Sequence, residues 1–324
     1  MSIQIERTSI EFPSADGQST IHGIVWQPSG RRPGGAVQLI HGMAEHIERY
    51  DAFARFLASH GYLVCGHDHI GHGHSVSDRK LLGHMPLHGG ADILVEDVDT
   101  LRCAIAQAFP EVPYFIFGHS MGSFVLRVYL TRHGQGLAGA ILCGTGQQPA
   151  LLSAAGNVLT KVLAAFKGET AKSELVHSLA DGAFSRAMED PRTPFDWISA
   201  NEDNVDAYAA DDLNGFTFTL GGYASLTQLT ALAASEELAQ RIPHELPLLF
   251  IAGAEDPVGA NGAGVRAAAA LMERVGVRDV TVILYDGMRH EILNEREADR
   301  VFEDVLRWLS LRDATSPELP SASQ

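Results

Sequence analysis

The chain has 324 residues, 45% of them hydrophobic and 20% charged, which is enough for a large soluble core. Forty acidic against 24 basic residues give a formal charge of −16. That balance excludes nucleic acid as a partner and electrostatic docking on anionic membranes, since both need clustered Lys and Arg, but not a lipid-like substrate held by apolar contacts.

Residues 3–12 and 20–27 alternate apolar and polar side chains around Asp16-Gly17, the pattern of two strands and a tight turn. After a Gly/Pro loop at 31–35, residues 36–40 form a short apolar run ending at His41-Gly42. A helix is expected over 50–60, closed by Gly61, then a strand over 62–65. A loop rich in His and Gly continues to Gly90. Residues 92–109 have helical spacing, with Ile93, Val95, Val98, Leu101 and Ile105 on or near one face. A strand at 114–117 runs into Gly118-His119-Ser120-Met121-Gly122, followed by a helical run. Strands are expected at 137–142, 246–251 and 280–285, and helices at 260–275 and 296–311. Strands alternating with helices, built from near-continuous Val, Ile and Leu, indicate an α/β fold: a mostly parallel sheet with helices on both faces.

Residues 147–240 break the alternation and read as a helical cap inserted over the sheet's carboxyl edge. Residues 1–146 and 241–312 then form the core. The tail, 313–324, is rich in Ser, Pro and Ala and is expected to be disordered. The three cysteines, Cys65, Cys103 and Cys143, lie in apolar segments and read as buried free thiols of a reducing compartment. No basic start followed by an apolar stretch marks a signal peptide, and no apolar run reaches the roughly 18 residues of a membrane span. The expected location is the cytoplasm.

A G-x-S-x-G pattern between a buried strand and a helix is a nucleophile elbow. It holds Ser120 in a strained turn with its hydroxyl presented at the strand's end. A serine hydroxyl needs a base to take its proton and an acid to orient the base. In chain order these follow as Asp or Glu, then His. Asp256 follows the strand at 246–251, with Glu255 as a rival acid beside it, and His290 follows the strand at 280–285. Acyl transfer also needs donors for the oxyanion. The backbone N–H groups of Met121 and Met43 are the candidates, with Gly42 allowing the early loop to turn. The His-rich stretch 66–74 lacks the ligand spacing of a zinc site, so no metal is assigned, and the loop reads as a hydrogen-bonded brace for the site's edge.

These residues resemble the monoglyceride lipase and lysophospholipase branch of the α/β-hydrolases, also called serine aminopeptidase-like hydrolases. The resemblance lies in His41-Gly42-Met43-Ala44-Glu45-His46 with Arg49-Tyr50, in Asp68 with Gly71-His72-Gly73-His74-Ser75, and in residues 118–122, 253–256 and 287–291. It implies an eight-stranded core, a helical cap, no cofactor, and hydrolysis of carboxylic esters. It also implies that Glu45 and Arg49 brace the oxyanion loop and the alcohol side of the pocket. Leu293 departs from it, standing where those enzymes carry a second polar group.

Three functions are compatible with this reading. The first is a serine ester hydrolase whose partner is a small acyl ester, such as a monoacylglycerol or lysophospholipid, with transient contact between the cap and a lipid interface. The second is an aminopeptidase, with Glu202, Asp203 or Asp206 binding an α-amino group. The third is a non-catalytic small-molecule pocket. The sequence leaves acyl length, headgroup and oligomeric state open.

Overall fold

A computed structural model describes residues 4–313. Strands β1 (Ile5–Pro13) and β2 (Thr20–Pro28) form an antiparallel hairpin. Its turn is closed by Asp16, whose Oδ1 accepts from the N–H groups of Gln18 and Ser19, each at 2.7 Å. There follow β3 (Gly35–Ile40), α1 (Asp51–Ser59), β4 (Tyr62–His67), α2 (Gly90–Ala108), β5 (Tyr114–His119), α3 (Met121–His133) and β6 (Gly139–Cys143). After the helices of the insertion come β7 (Leu248–Gly253), a helix over Ala263–Arg274, β8 (Val280–Tyr285) and a last helix over Ala298–Ser310. These bounds differ by a few residues from those read off the sequence, because helix and strand ends follow caps and pairing rather than composition. The expected tail lies outside the described residues except for Asp313.

The eight strands run in the order β1-β2-β4-β3-β5-β6-β7-β8. β2 is antiparallel to β1 and β4, and every later pair is parallel. This is the mostly parallel sheet expected from the apolar runs. β5 shows why both faces need cover: Tyr114 and Ile116 join one buried cluster, Phe115 and Phe117 the other. On the first side lie Leu94 and Val98 of α2 and Leu126 of α3; on the second lie Phe53 and Leu57 of α1 and Trp308 of the last helix. Between β4, β3 and β5 the strand order reverses, and the loops after β3 and β5 open a crevice at the carboxyl edge.

The insertion between β6 and β7 consists of α4 (Ala150–Lys167), α5 (Glu174–Leu179), α6 (Gly182–Arg186), α7 (Glu202–Ala210), α8 (Leu220–Ala233) and α9 (Glu236–Ala239). α8 packs on α2, α3 and α4. Arg127 of α3 clamps both ends of the insertion, donating to the carbonyls of Gly146 (2.8 Å) and Ala233 (2.6 Å).

Two expectations need correction. Cys65 and Cys143 are buried free thiols, but Cys103 is exposed on the outer face of α2, where its Sγ faces Asp99 at 3.5 Å. Apolar neighbours along a helix do not fix which face a residue occupies. α4, moreover, is long and apolar enough to cross a membrane by length and composition. Counting unbroken runs passes over it because Ser153, Asn157, Thr160 and Lys161 interrupt the apolar residues. Two of these polar groups bond α8: Asn157 donates to the carbonyl of Ala224 at 2.9 Å, and Ser153 Oγ accepts from Thr230 at 3.0 Å.

Candidate active site

Ser120 sits between β5 and α3 at φ 52° and ψ −119°, a conformation that L-residues rarely adopt. It is held there by its N–H on the carbonyl of Cys143 (2.9 Å) and by Ser123, whose N–H and Oγ both donate to the Ser120 carbonyl. The flanking glycines are required sterically. A Cβ on Gly122 would fall 2.2 Å from the carbonyl oxygen of Ile40, and one on Gly118 would fall 2.5 Å from that of Gly122.

Asp256, after β7, is fully buried. Its Oδ2 lies 2.9 Å from Nδ1 of His290, and its Oδ1 accepts from the N–H of Val258 at 2.9 Å. Glu255 is exposed. His290, after β8, is buried between the rings of His119 (4.7 Å between centroids) and Trp197 (5.2 Å). A carboxylate only accepts, so Nδ1 carries the proton and Nε2 keeps its lone pair. That Nε2 has no partner among the described residues, Ser120 included.

The loop after β3 approaches the serine closely. A Cβ on Gly42 would lie 3.0 Å from Cβ of Ser120 and 2.7 Å from Oε1 of Glu45. The N–H groups of Met43 and Met121 have no hydrogen bond to any described residue. Met121 opens α3, where first-turn N–H groups lack partners within the helix.

Glu45 and Arg49 lie behind this loop in a buried ionic network. Glu45 Oε1 accepts from the N–H of Gly42 (2.5 Å), from Tyr50 Oη (2.9 Å) and from Nδ1 of His119 (3.2 Å). Arg49 donates to Glu45 at 2.8 Å and, bidentately, to Glu291 at 2.6 Å on both oxygens. Asn204 of α7 bonds both Arg49 (3.2 Å) and Glu291 (2.8 Å). Burial works against each charge. For Glu45 it is outweighed by His119 and Arg49, which hold the carboxyl well below its usual range. For Glu291 the Arg49 charge and its hydrogen bonds outweigh burial and lower the pKa. Burial likewise opposes a charge on His119, yet Glu45 raises its pKa. Both ring nitrogens of His119 face oxygens, Glu45 on one side and the His290 carbonyl (3.3 Å) on the other, which suits an imidazolium.

Among the described residues no group of three or more His, Cys, Asp and Glu is arranged to hold a metal ion.

Residues 31–297 match the family model for serine aminopeptidase, S33 (Hydrolase_4). The chain belongs to this family of α/β-hydrolases. A monoacylglycerol lipase of Mycolicibacterium smegmatis is 31% identical over 94% of this chain and 97% of its own. The human monoglyceride lipase is 27% identical over 94% and 90%. The crystal structure of a thermostable carboxyl esterase from Bacillus coagulans, in complex with glycerol, superposes with a TM-score of 0.86 at 32% identity, covering 94% of this chain and 98% of the other. The chain is an esterase- and lipase-like α/β-hydrolase that resembles the monoglyceride lipases.

In this α/β-hydrolase the structure gathers Ser120, Asp256, His290, Gly42, Met43 and Met121 at one sheet edge, with Glu45 and Arg49 behind them. Sequence reasoning missed Glu291, Asn204, His119 and Trp197. An acid directly after the loop histidine was a visible signal for Glu291; nothing local marks Asn204 or Trp197, which reach the site only through docking of the insertion. Leu293 is buried. Arg49→Met should leave two buried carboxylates facing each other and cost about 3–5 kcal/mol, read as a fall in urea midpoint. Adding Glu45→Gln and Glu291→Gln should recover part of that loss. An unchanged midpoint in the single variant would refute this account of the network.

Proposed function

We propose that the chain is a serine carboxylic-ester hydrolase acting on uncharged or zwitterionic acyl esters, such as monoacylglycerols or lysophospholipids. The observation that carries the reading is the strained Ser120 beside a buried Asp256–His290 pair, with two unpartnered N–H groups at the same edge. Ser120 Oγ attacks the acyl carbonyl as Nε2 of His290 takes its proton. Asp256 holds the imidazole and stabilises its cation. The N–H groups of Met43 and Met121 stabilise the oxyanion. The imidazolium then protonates the leaving alcohol, and water activated by the same Nε2 releases the acid. The serine–imidazole contact is one that tightens once substrate is bound.

In this reading residues 147–240 act as a cap on a core of residues 1–146 and 241–312. The outer face of α4 supports a transient contact with a lipid interface, since Leu151 is 82% exposed and Phe166 86%. The aminopeptidase reading has less support: Glu202 and Asp203 are exposed on α7, and Asp206 pairs with Arg192 at 2.7 Å.

A fluorophosphonate probe should label the wild type at Ser120. A chain-length series of p-nitrophenyl esters, run beside monoacylglycerols and lysophosphatidylcholine, should then show turnover. Hydrolysis of an aminoacyl-naphthylamide with no activity on any acyl ester would overturn the proposal in favour of a peptidase.

A further inference from the structure

The loop after β3 is pinned at several backbone polar groups on either side of Met43. The N–H of Gly42 is taken by Glu45. The His41 carbonyl accepts from Nε2 of His69 at 3.2 Å, and the Gly42 carbonyl from Nδ1 of His41 at 2.8 Å. The Ala44 carbonyl accepts from the N–H of Gly215 and from Tyr208 Oη, each at 2.9 Å. The N–H of Ala44 donates to Nε2 of His72 at 3.3 Å. Between Gly42 and Ala44, Met43 alone keeps its N–H without a partner among the described residues.

His72 is the part of this arrangement that depends on a protonation state. Its Nδ1 lies 3.1 Å from the Ile70 carbonyl, so Nδ1 carries the hydrogen and Nε2 the lone pair that Ala44 uses. The ring is fully buried, set edge-on against the stacked pair Phe216 and Phe218 at 5.3 and 5.2 Å, with His41 at 5.2 Å and His69 at 5.9 Å. Burial, reinforced by His41, pushes its pKa down to about 3 against the opposing pull of Asp68 and Glu45, so the acceptor is present at neutral pH. The residue it holds is itself strained: Ala44 has φ 53°. A non-glycine residue stays in that region only where its surroundings over-determine it.

We propose that His72 is a positioning residue for the oxyanion hole: as a neutral imidazole it accepts the Ala44 N–H and so aims the adjacent Met43 N–H at the reacting carbonyl oxygen. The inference rests on the ester-hydrolase reading above. It gives the His-rich loop a catalytic consequence without contact between that loop and the substrate. A misplaced donor forfeits much of what a lost one does, and a lost donor lowers kcat about 10²–10³-fold.

The test compares His72→Phe, which keeps an aromatic ring against Phe216 and Phe218 but cannot accept, with His72→Gln, whose Oε1 can. Thermal melts establish that each variant is folded. On a p-nitrophenyl ester, His72→Phe should lose roughly 10- to 100-fold in kcat with KM nearly unchanged, and His72→Gln should regain most of it. An alkyl trifluoromethyl ketone, whose hemiketal oxygen occupies the hole, should weaken in step with kcat/KM across the set. If His72→Phe does not fold, His72→Ala with imidazole added back makes the same comparison, and kcat should rise with imidazole. Full kcat in a folded His72→Phe, ketone affinity that ignores the substitution, or an imidazole-insensitive His72→Ala would each overturn the role of His72. A wild type that neither turns over esters nor binds the ketone would instead overturn the hydrolase reading itself.

Discussion

Ser120→Ala should lower kcat/KM on its best ester by roughly 10⁴- to 10⁶-fold, and His290→Ala by a similar factor. The double variant should be hardly worse than either single one. A nucleophile and its base act as a unit, so removing one leaves nothing for the other to do. On the proposed mechanism the residual rate belongs to binding and to the N–H groups of Met43 and Met121, which neither substitution touches. Asp256→Asn should cost about 10⁴-fold, because an amide at Oδ2 would favour the wrong tautomer of His290. The same position also carries a stability prediction of opposite sign. Ser120 is strained at φ 52°, so Ser120→Gly should abolish turnover while keeping the melting midpoint at or above that of the wild type. Loss of activity with intact folding separates a chemical role from a structural one. Ester turnover by Ser120→Ala at the wild-type rate would end the assignment.

The fold should lose stability steeply as pH falls from about 6 to 4. His41, His67, His69 and His72 are buried, and burial lowers the pKa of each, to about 3 for His67 and His72. A histidine held neutral in the fold binds its proton only on unfolding. Below the unfolded value near 6.5 the unfolded chain therefore gains protons that the native state refuses, and stability drops until the folded pKa is reached. Each such group contributes a slope of about 1.4 kcal/mol per pH unit, so His67 and His72 alone give roughly 2.7. Through these two groups, two pH units remove about 5 kcal/mol, of which the protonation of Asp97 returns part.

Of the groups shifted the other way, only Asp97 acts in this range. His22 and His119 have raised pKa values, through Asp68 and Glu45 respectively, and contribute stability below 6.5 that is lost at higher pH. Asp97, pushed by burial to about 6, releases a penalty as it protonates. Below pH 4 Asp68, held at about 2, adds to the loss. Urea midpoints measured every half unit would show the slope. His67→Leu should flatten it by about 1.4 kcal/mol per unit, since both ring nitrogens of His67 lack hydrogen-bond partners among the described residues and only its charge is at issue. A midpoint constant from pH 6 to 4 would be incompatible with neutral buried imidazoles.

The elements that carry the proposed chemistry were legible because their signals are local. A strand of Tyr114 to Phe117, two glycines four residues apart and a helical run specify an elbow within about a dozen residues. The loops holding Asp256 and His290 are legible for the same reason: each follows a short apolar run, and alternation with helices returns every such loop to one edge. The Met43 and Met121 donors follow from where those loops must lie.

What escaped the sequence is set by contacts between distant segments. Arg49 chooses Glu291, 242 positions away, as its bidentate partner, and no periodicity links the two. Asn204 and Trp197 meet the site only because α7 and the turn before it settle over the loops after β3 and β8. α4 shows the same limit, since its apolar spacing is equally that of a core helix, and only packing on α8 shows which side chains remain outside. The sequence by itself determined the sheet, the elbow and the order of Ser120, Asp256 and His290, all of which rest on short-range sterics and hydrophobic pattern. Only the tertiary structure decided which charges neutralise one another around Arg49, which face of α4 is exposed and which imidazole holds Ala44, because each depends on desolvation and hydrogen bonding between groups that the chain brings together from far apart.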